Sequence, residues 1–198
     1  MGCKYSLATF RLTLFVLLLS PILHVCAADQ APPAPLPALA TIAAGFNHFL
    51  ALGRDGTVWV WADDHSGAPQ DGKQRQAVPT RVNPLADVTA IVAGYDHFLA
   101  LRRDGTVWAW GDNHNGELGD GSVSTRNVPV KVVGLPPIKS ISASSGHSLA
   151  LDQAGTVWAW GDNHSGQLGD ASTLGRSRPV RVKGLPAMVV QAVGGGTV

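Results

Sequence analysis

One stretch recurs almost unchanged and limits the fold more than any other feature. Asp104-Gly105-Thr106-Val107-Trp108-Ala109-Trp110-Gly111-Asp112-Asn113-His114 returns as Ala154-Gly155-Thr156-Val157-Trp158-Ala159-Trp160-Gly161-Asp162-Asn163-His164. A worn copy runs from Asp55-Gly56-Thr57-Val58-Trp59 through Trp61 to Asp64-His65. All six tryptophans (Trp59, Trp61, Trp108, Trp110, Trp158 and Trp160) lie in these copies. A second submotif keeps the same step. Ala44-Gly45-Phe46-Asn47-His48-Phe49-Leu50-Ala51-Leu52 matches Ala93-Gly94-Tyr95-Asp96-His97-Phe98-Leu99-Ala100-Leu101, and then Ser145-Gly146-His147-Ser148-Leu149-Ala150-Leu151. The step from His48 to His97 is 49 residues, and from His97 to His147 it is 50. A period of this size belongs to propellers and solenoids, whose units bury their apolar faces only against one another.

Each period reads as four short strands. In the second, these are Val88 to Ala93, Phe98 to Leu101, Thr106 to Trp110 and Val128 to Val133. Asp104-Gly105 between the middle two predicts a tight hairpin with positive φ at both central positions. Pro129 is expected at the start of the last strand, where a missing N–H is tolerated, as are Pro79 and Pro179 in the other repeats. On Thr106 to Trp110, Val107 and Ala109 point one way and Trp108 and Trp110 the other. Neither face carries a charge. A strand apolar on both faces belongs inside a stack of sheets, as in a propeller blade. No segment has a useful helical period.

The linked submotifs Ala-Gly-x-x-His-x-Leu-Ala-Leu, Asp-Gly-Thr-Val-x-x-Trp-Gly-x-Asn, Gly-x-Leu-Gly-Asp and Pro-Val-x-Val-x-Gly-Leu resemble the regulator of chromosome condensation repeat. The resemblance covers residues 41–191 and implies an all-β, seven-bladed type of propeller with four-stranded antiparallel blades. Three repeats fall at about 41–87, 88–137 and 138–187, and 188–198 opens a truncated fourth. Three blades make a partial propeller with an open ring. The first repeat departs from the pattern, with Trp61-Ala62-Asp63-Asp64 and Gly67-Ala68-Pro69-Gln70-Asp71-Gly72 in place of the usual submotifs. The early stop predicts a fragment of a longer propeller protein. Its open end blades predict self-association.

Residues 1–28 have the layout of a signal peptide: Lys4 and Arg11, an apolar run from Leu12 to Leu19, Pro21, and small residues at Cys26-Ala27-Ala28. The run is too short to span a membrane. Residues 29–40 hold four prolines and read as a linker. The expected location is secreted or periplasmic. Leu23-His24-Val25-Cys26 offers lipid anchoring at Cys26 as the lesser alternative. Cleavage after Ala27 or Ala28 removes both cysteines, Cys3 and Cys26. The formal net charge is +1. Such a near-neutral chain has no footprint for nucleic acid.

His48, His97 and His147 repeat in register. A site needs unlike groups converging, so each imidazole is expected to tie a strand to a neighbouring loop by a buried hydrogen bond. Asp112-Asn113-His114 and Asp162-Asn163-His164 have the residue types of chelators. Copies on different blades are expected to diverge, and Gly116 falls at the fifth rather than the sixth position of a calcium loop. Asp and Asn here are expected to bond their own backbone at a strand end. No catalytic, cofactor-binding or metal residue is assigned, and the tryptophans are expected to fill space between blades.

The candidate partner-binding residues are those where the copies differ: Phe46, Asn47, Tyr95, Asp96 and Ser145. The resemblance places their loops on one face of the ring, around the axis. Aromatic residues with polar neighbours make protein-binding anchors, although packing of Phe46 and Tyr95 on neighbouring blades accounts for them equally well. The long loops 62–76, 112–126 and 162–177 form a second candidate surface. The expected function is a secreted, non-catalytic protein-interaction module whose partner is another protein or a cell-surface ligand. One alternative is a secreted inhibitor of a cell-wall or β-lactam-processing enzyme. Another is a guanine nucleotide exchange factor-like regulator, against which the signal peptide argues. The last is an accessory array for a catalytic domain outside this chain.

Overall fold

A computed structural model of the chain describes residues 38–46, 48–62 and 79–185. The expected signal peptide, most of the linker, Asn47, most of the first long loop and the fourth repeat lie outside these residues. Among the described residues every regular element is a strand. The strands form three antiparallel sheets of four, each in simple meander order, and the sheets do not close into a ring. Blade 1 holds β1 (Leu39–Ala44), β2 (His48–Gly53), β3 (Val58–Ala62) and β4 (Thr80–Arg81). Blade 2 holds β5 (Val88–Ala93), β6 (His97–Arg102), β7 (Val107–Gly111) and β8 (Arg126–Lys131). Blade 3 holds β9 (Ile138–Ala143), β10 (His147–Asp152), β11 (Val157–Gly161) and β12 (Arg176–Arg181). This is the three-blade open propeller that the repeats predict.

The two faces of β7 show why the blades stack. Trp110 joins Phe98, Ala100 and Ile91 in a core closed on the far side by Leu50, Leu52, Val58 and Val60 of blade 1. Val107 and Ala109, on the opposite face, join Leu99 and Leu118 against Ile138, Ile141, Ala150 and Trp160 of blade 3. The middle blade is thus buried on both sides, and each interface removes two apolar sheet faces from water. In blade 1 the face equivalent to that of Trp110 is half open: Phe49 stacks on Trp61 at 5.7 Å and is 46% exposed.

The Asp-Gly turns differ from the expectation. Gly105 has a positive φ of 79°, whereas Asp104 does not. The N–H of Gly105 bonds the Arg102 carbonyl and that of Arg102 bonds the Thr106 carbonyl. This is a type I turn followed by a left-handed glycine, the three-residue hairpin, which leaves Asp104 free to act through its side chain. Asp104 accepts the Thr106 N–H and hydroxyl at 3.0 and 2.6 Å. The Thr106 hydroxyl oxygen accepts the Trp108 indole N–H at 3.3 Å. Blade 3 has Ala154 in place of that aspartate, and Asp152 binds the Thr156 and Trp158 N–H groups instead. The glycine is needed twice over, because a Cβ at Gly105 would also press on Pro137 in the link to blade 3. The Gly105 carbonyl there accepts the Ile138 N–H at 2.9 Å.

The last strands of blades 2 and 3 also start earlier than expected, whereas β4 of blade 1 begins directly after Pro79. β8 begins at Arg126, so Pro129 lies inside the strand. It sits in the irregular register between Ala109 and Gly111 on the outer edge of the sheet, where its missing N–H breaks no ladder bond. Pro179 occupies the same place in β12.

Candidate functional site: a cleft between the second and third blades

The second and third long loops are built alike around a buried asparagine. The Asn113 side-chain oxygen accepts the Leu118 N–H at 2.9 Å, and its amide donates to the Ser122 and Ser124 carbonyls at 3.2 and 3.1 Å. Asn163 repeats these bonds with Leu168, Ser172 and Leu174. Arg126 adds a fork onto Asp120, and Arg176 onto Asp170. The Ser172 hydroxyl and the Arg176 guanidinium hold the Asp170 carboxyl well below the usual range. Asn113 and Asn163 therefore span whole loops, a larger role than the expected strand-end turn. Asp162 does make such a turn, accepting the His164 N–H at 3.0 Å.

Loop 112–126 reaches across to blade 3, where the Gly121 N–H bonds the Ser177 carbonyl. The Glu117 carbonyl receives the Trp160 indole N–H at 2.6 Å and the Ser148 hydroxyl at 2.9 Å. Since that hydroxyl has given its only proton to Glu117, it accepts from His97, whose Nε2 lies 2.9 Å away. His97 thus clamps blade 2 to a neighbouring strand, rather than to a loop as expected. Its burial, with His147 and His48 adding to the effect, pushes it down to about 4 and keeps it neutral.

The three repeated histidines are not equivalent. Gly94 has no Cβ, and a methyl there would overlap both the His97 ring and the Ser144 carbonyl oxygen. Gly45 stands in the same relation to His48. The two rings fold back over these glycines and are fully buried. His48 also makes an edge contact with Phe98 and lies 3.9 Å from Asp96. Burial lowers the pKa of His48 against the pull of Asp96. In blade 3 the glycine is replaced by Ser144, and His147 is only half buried. Burial still lowers its pKa, against the pull of Asp162.

The first tryptophan of each pair fills the space between blades only in part: Trp108 and Trp158 pack against the inter-blade cores with part of the side chain left out. Trp110 and Trp160 are fully buried between blades. Trp59, Trp108 and Trp158 are half exposed and anchored by their N–H groups to their own hairpins. Arg181 lies over the Trp158 ring at 5.2 Å.

Four of the five candidate partner-binding residues lie on the described chain. Phe46 and Tyr95 are stacked with centroids 4.3 Å apart and an interplanar angle of 17°, and the Phe46 N–H bonds the Tyr95 carbonyl. They do pack on each other across the blade boundary, yet Phe46 stays 61% and Tyr95 44% exposed. At the third position of this row stands Ser145, followed by Gly146. A cleft of about 740 Å³ opens there, lined by Tyr95, Asp96, Ser145 and His147, among others. The second candidate surface contributes Asp112, Asn115 and Glu117 from loop 112–126 and Asp162, Ser165 and Gln167 from loop 162–177. Asp112 and Asp162 therefore meet in one cleft, although copies on different blades were expected to diverge. The blades are close enough at this end for equivalent loops to share a wall. Among the described residues, no group of three or more His, Cys, Asp or Glu side chains is placed to hold a metal ion.

In the sequence Asp112, Glu117 and Asp162 stand only as part of the second candidate surface, and nothing there shows that this surface and the row of Tyr95 and Ser145 line one cleft. The available signal was variation: Asn115 and Glu117 in one loop become Ser165 and Gln167 in the next.

The fold is shared with several solved structures. Prp20p from Saccharomyces cerevisiae, studied for its binding to Gsp1p and histones, matches with a TM-score of 0.63 and 25% identity over 74% of this chain and 38% of that one. A second structure, yeast RCC1 (Prp20) with Kap60, has a TM-score of 0.64 and 24% identity over 74% of this chain and 37% of that one. Human WBSCR16 aligns with a TM-score of 0.69 and 23% identity over 80% of this chain and 43% of that one. The chain thus spans less than half the length of these proteins. No curated protein sequence matches the chain. Two profiles of the regulator of chromosome condensation (RCC1) repeat do match, one over residues 104–151 and 154–198, the other over 40–67, 88–117 and 138–167. The chain belongs to the regulator of chromosome condensation (RCC1) repeat family.

Proposed function

We propose that this chain is a secreted, non-catalytic protein-interaction module that binds a partner protein through the cleft between its second and third blades. The observation that carries this role is the break in the repeat frame at Ser145-Gly146. It opens a cleft beside two exposed aromatic rings, while the surrounding loops keep their internal bonds. Exposed aromatic anchors beside polar groups suit protein recognition. The RCC1-repeat propeller is generally a binding or regulatory fold, and Prp20p is described by its binding to other proteins. Secretion rests on the layout of residues 1–28.

Two measurements test this role. A photo-crosslinking residue at position 95 should capture a defined protein from the organism's secreted fraction, and the same residue at exposed position 128 should not. Capture at both positions, or at neither, contradicts it. Mass spectrometry of the exported chain should find an N-terminus at Ala28 or Asp29. Retention of Met1 would remove the secretion part.

A further inference from the structure

The row of rings at the blade tops is interrupted in a specific way. Phe46 covers one side of Tyr95. A third residue of the same kind, at position 145, would continue the row, but serine stands there. Stacked planar groups take the 4.3 Å spacing seen between Phe46 and Tyr95, so a planar group is the kind that would continue the row.

The charge of the slot is one-sided. Asp96, Asp112, Glu117 and Asp162 line it, and no Lys or Arg does. The nearby arginines of the long loops, Arg126 and Arg176, are held by Asp120 and Asp170. Asp112 and Asp162 also touch the rings of His114 and His164, and Glu117 accepts the Asn115 N–H and amide. Asp96 has the His48 imidazole as a neighbour at 3.9 Å, and burial drives that ring toward its neutral form. The cleft therefore lacks a fixed positive charge of its own. A planar cation is the group that would both continue the stacked row and pair with the carboxylates. Guanidinium is planar, stacks on aromatic faces and forks onto carboxylates, whereas ammonium is compact and more strongly hydrated.

We propose that the slot beside Tyr95 receives an arginine side chain of the partner protein, stacked on the Tyr95 ring and paired with Asp96 and Asp162. This deepens the protein-interaction role above and rests on it. Ser145 determines the specificity by being small.

Nuclear magnetic resonance titration of the labelled chain with three short peptides tests the assignment. The peptides differ only in carrying arginine, its uncharged isostere citrulline, or lysine. The arginine peptide should give saturable shifts at residues 95–97 and 144–147, and the other two should bind about tenfold more weakly or less. Ser145→Tyr should abolish the shifts, and Asp96→Asn should weaken binding by about tenfold. Asp96→Asn carries the test alone if the tyrosine variant fails to fold. Equal binding of arginine and citrulline peptides overturns the proposal. So does an unshifted cleft, including one that shifts with calcium ions but not with the arginine peptide. If the protein captured at position 95 is still held at full strength by Asp96→Asn, the arginine assignment fails while the interaction role stands. If nothing is captured at position 95, the interaction role itself fails.

Discussion

Loops 112–126 and 162–177 share nearly every internal bond, side-chain bonds included, while the short loops at 94–97 and 144–147 share only the bonds of their backbones. The first pair is held by Asn113 or Asn163, a Ser, an Asp and an Arg, so one changed residue strands several buried polar groups. The second pair is free to vary because the blade cores already fix its ends. Gly94 gives way to Ser144, Tyr95 to Ser145 and Asp96 to Gly146, and the outcome is a ring row with a gap. Where copies agree, the residues hold the chain together. Where they differ, the surface acquires a shape of its own.

The largest effect should come from the copied part. Trp160→Ala empties a fully buried inter-blade position and removes the bond to Glu117. It should cost ~4 kcal/mol in chemical denaturation. Trp158→Ala, at the half-exposed partner position, should cost only ~1 kcal/mol. Equal losses would erase the distinction between the two tryptophans. Asn113→Ala should follow at ~3 kcal/mol, because Leu118 and the Ser122 and Ser124 carbonyls lose their partner. A loss within the noise would mean that the loop does not depend on its asparagine.

Histidine titration offers a third contrast. His97 is held near 4 in the fold against 6.5 unfolded, so above pH 6.5 both states are neutral and its contribution is complete. As pH falls from 6.5 toward 4 the unfolded chain takes up a proton that the fold refuses, and up to ~3 kcal/mol is lost. His48 and His147 are shifted in the same direction. Urea midpoints across this window should drop in the wild type and drop less in His97→Gln. Parallel curves would contradict the buried neutral clamp. Smallest of all, Ser145→Tyr should change stability by less than ~0.5 kcal/mol, since it adds a ring at an open surface position. A large destabilisation would mean that Ser145 is scaffold.

Much of the architecture was legible in the residues. The 49 and 50 residue steps place the blades, and the charge-free faces of Val107 to Trp110 require stacking on both sides. Turn geometry was less legible, because Asp-Gly suits two hairpin types and only the chain-closing bonds separate them. The reach of Asn113 was also hidden, since its partners lie five to eleven residues away. Phe46, Tyr95, Asp96 and Ser145 were identifiable because they break a pattern. Asp112, Glu117 and Asp162 were legible only as members of the second candidate surface, because nothing in a periodic sequence tells which copies share a wall.

The division between copied scaffold and divergent cleft is tested most directly by amide hydrogen exchange with and without the arginine peptide. Added protection should be confined to residues 94–97 and 144–147, with 118–126 and 168–176 slow in both states and unchanged. Protection that spreads through the copied loops, or that leaves the cleft segments untouched, would contradict it.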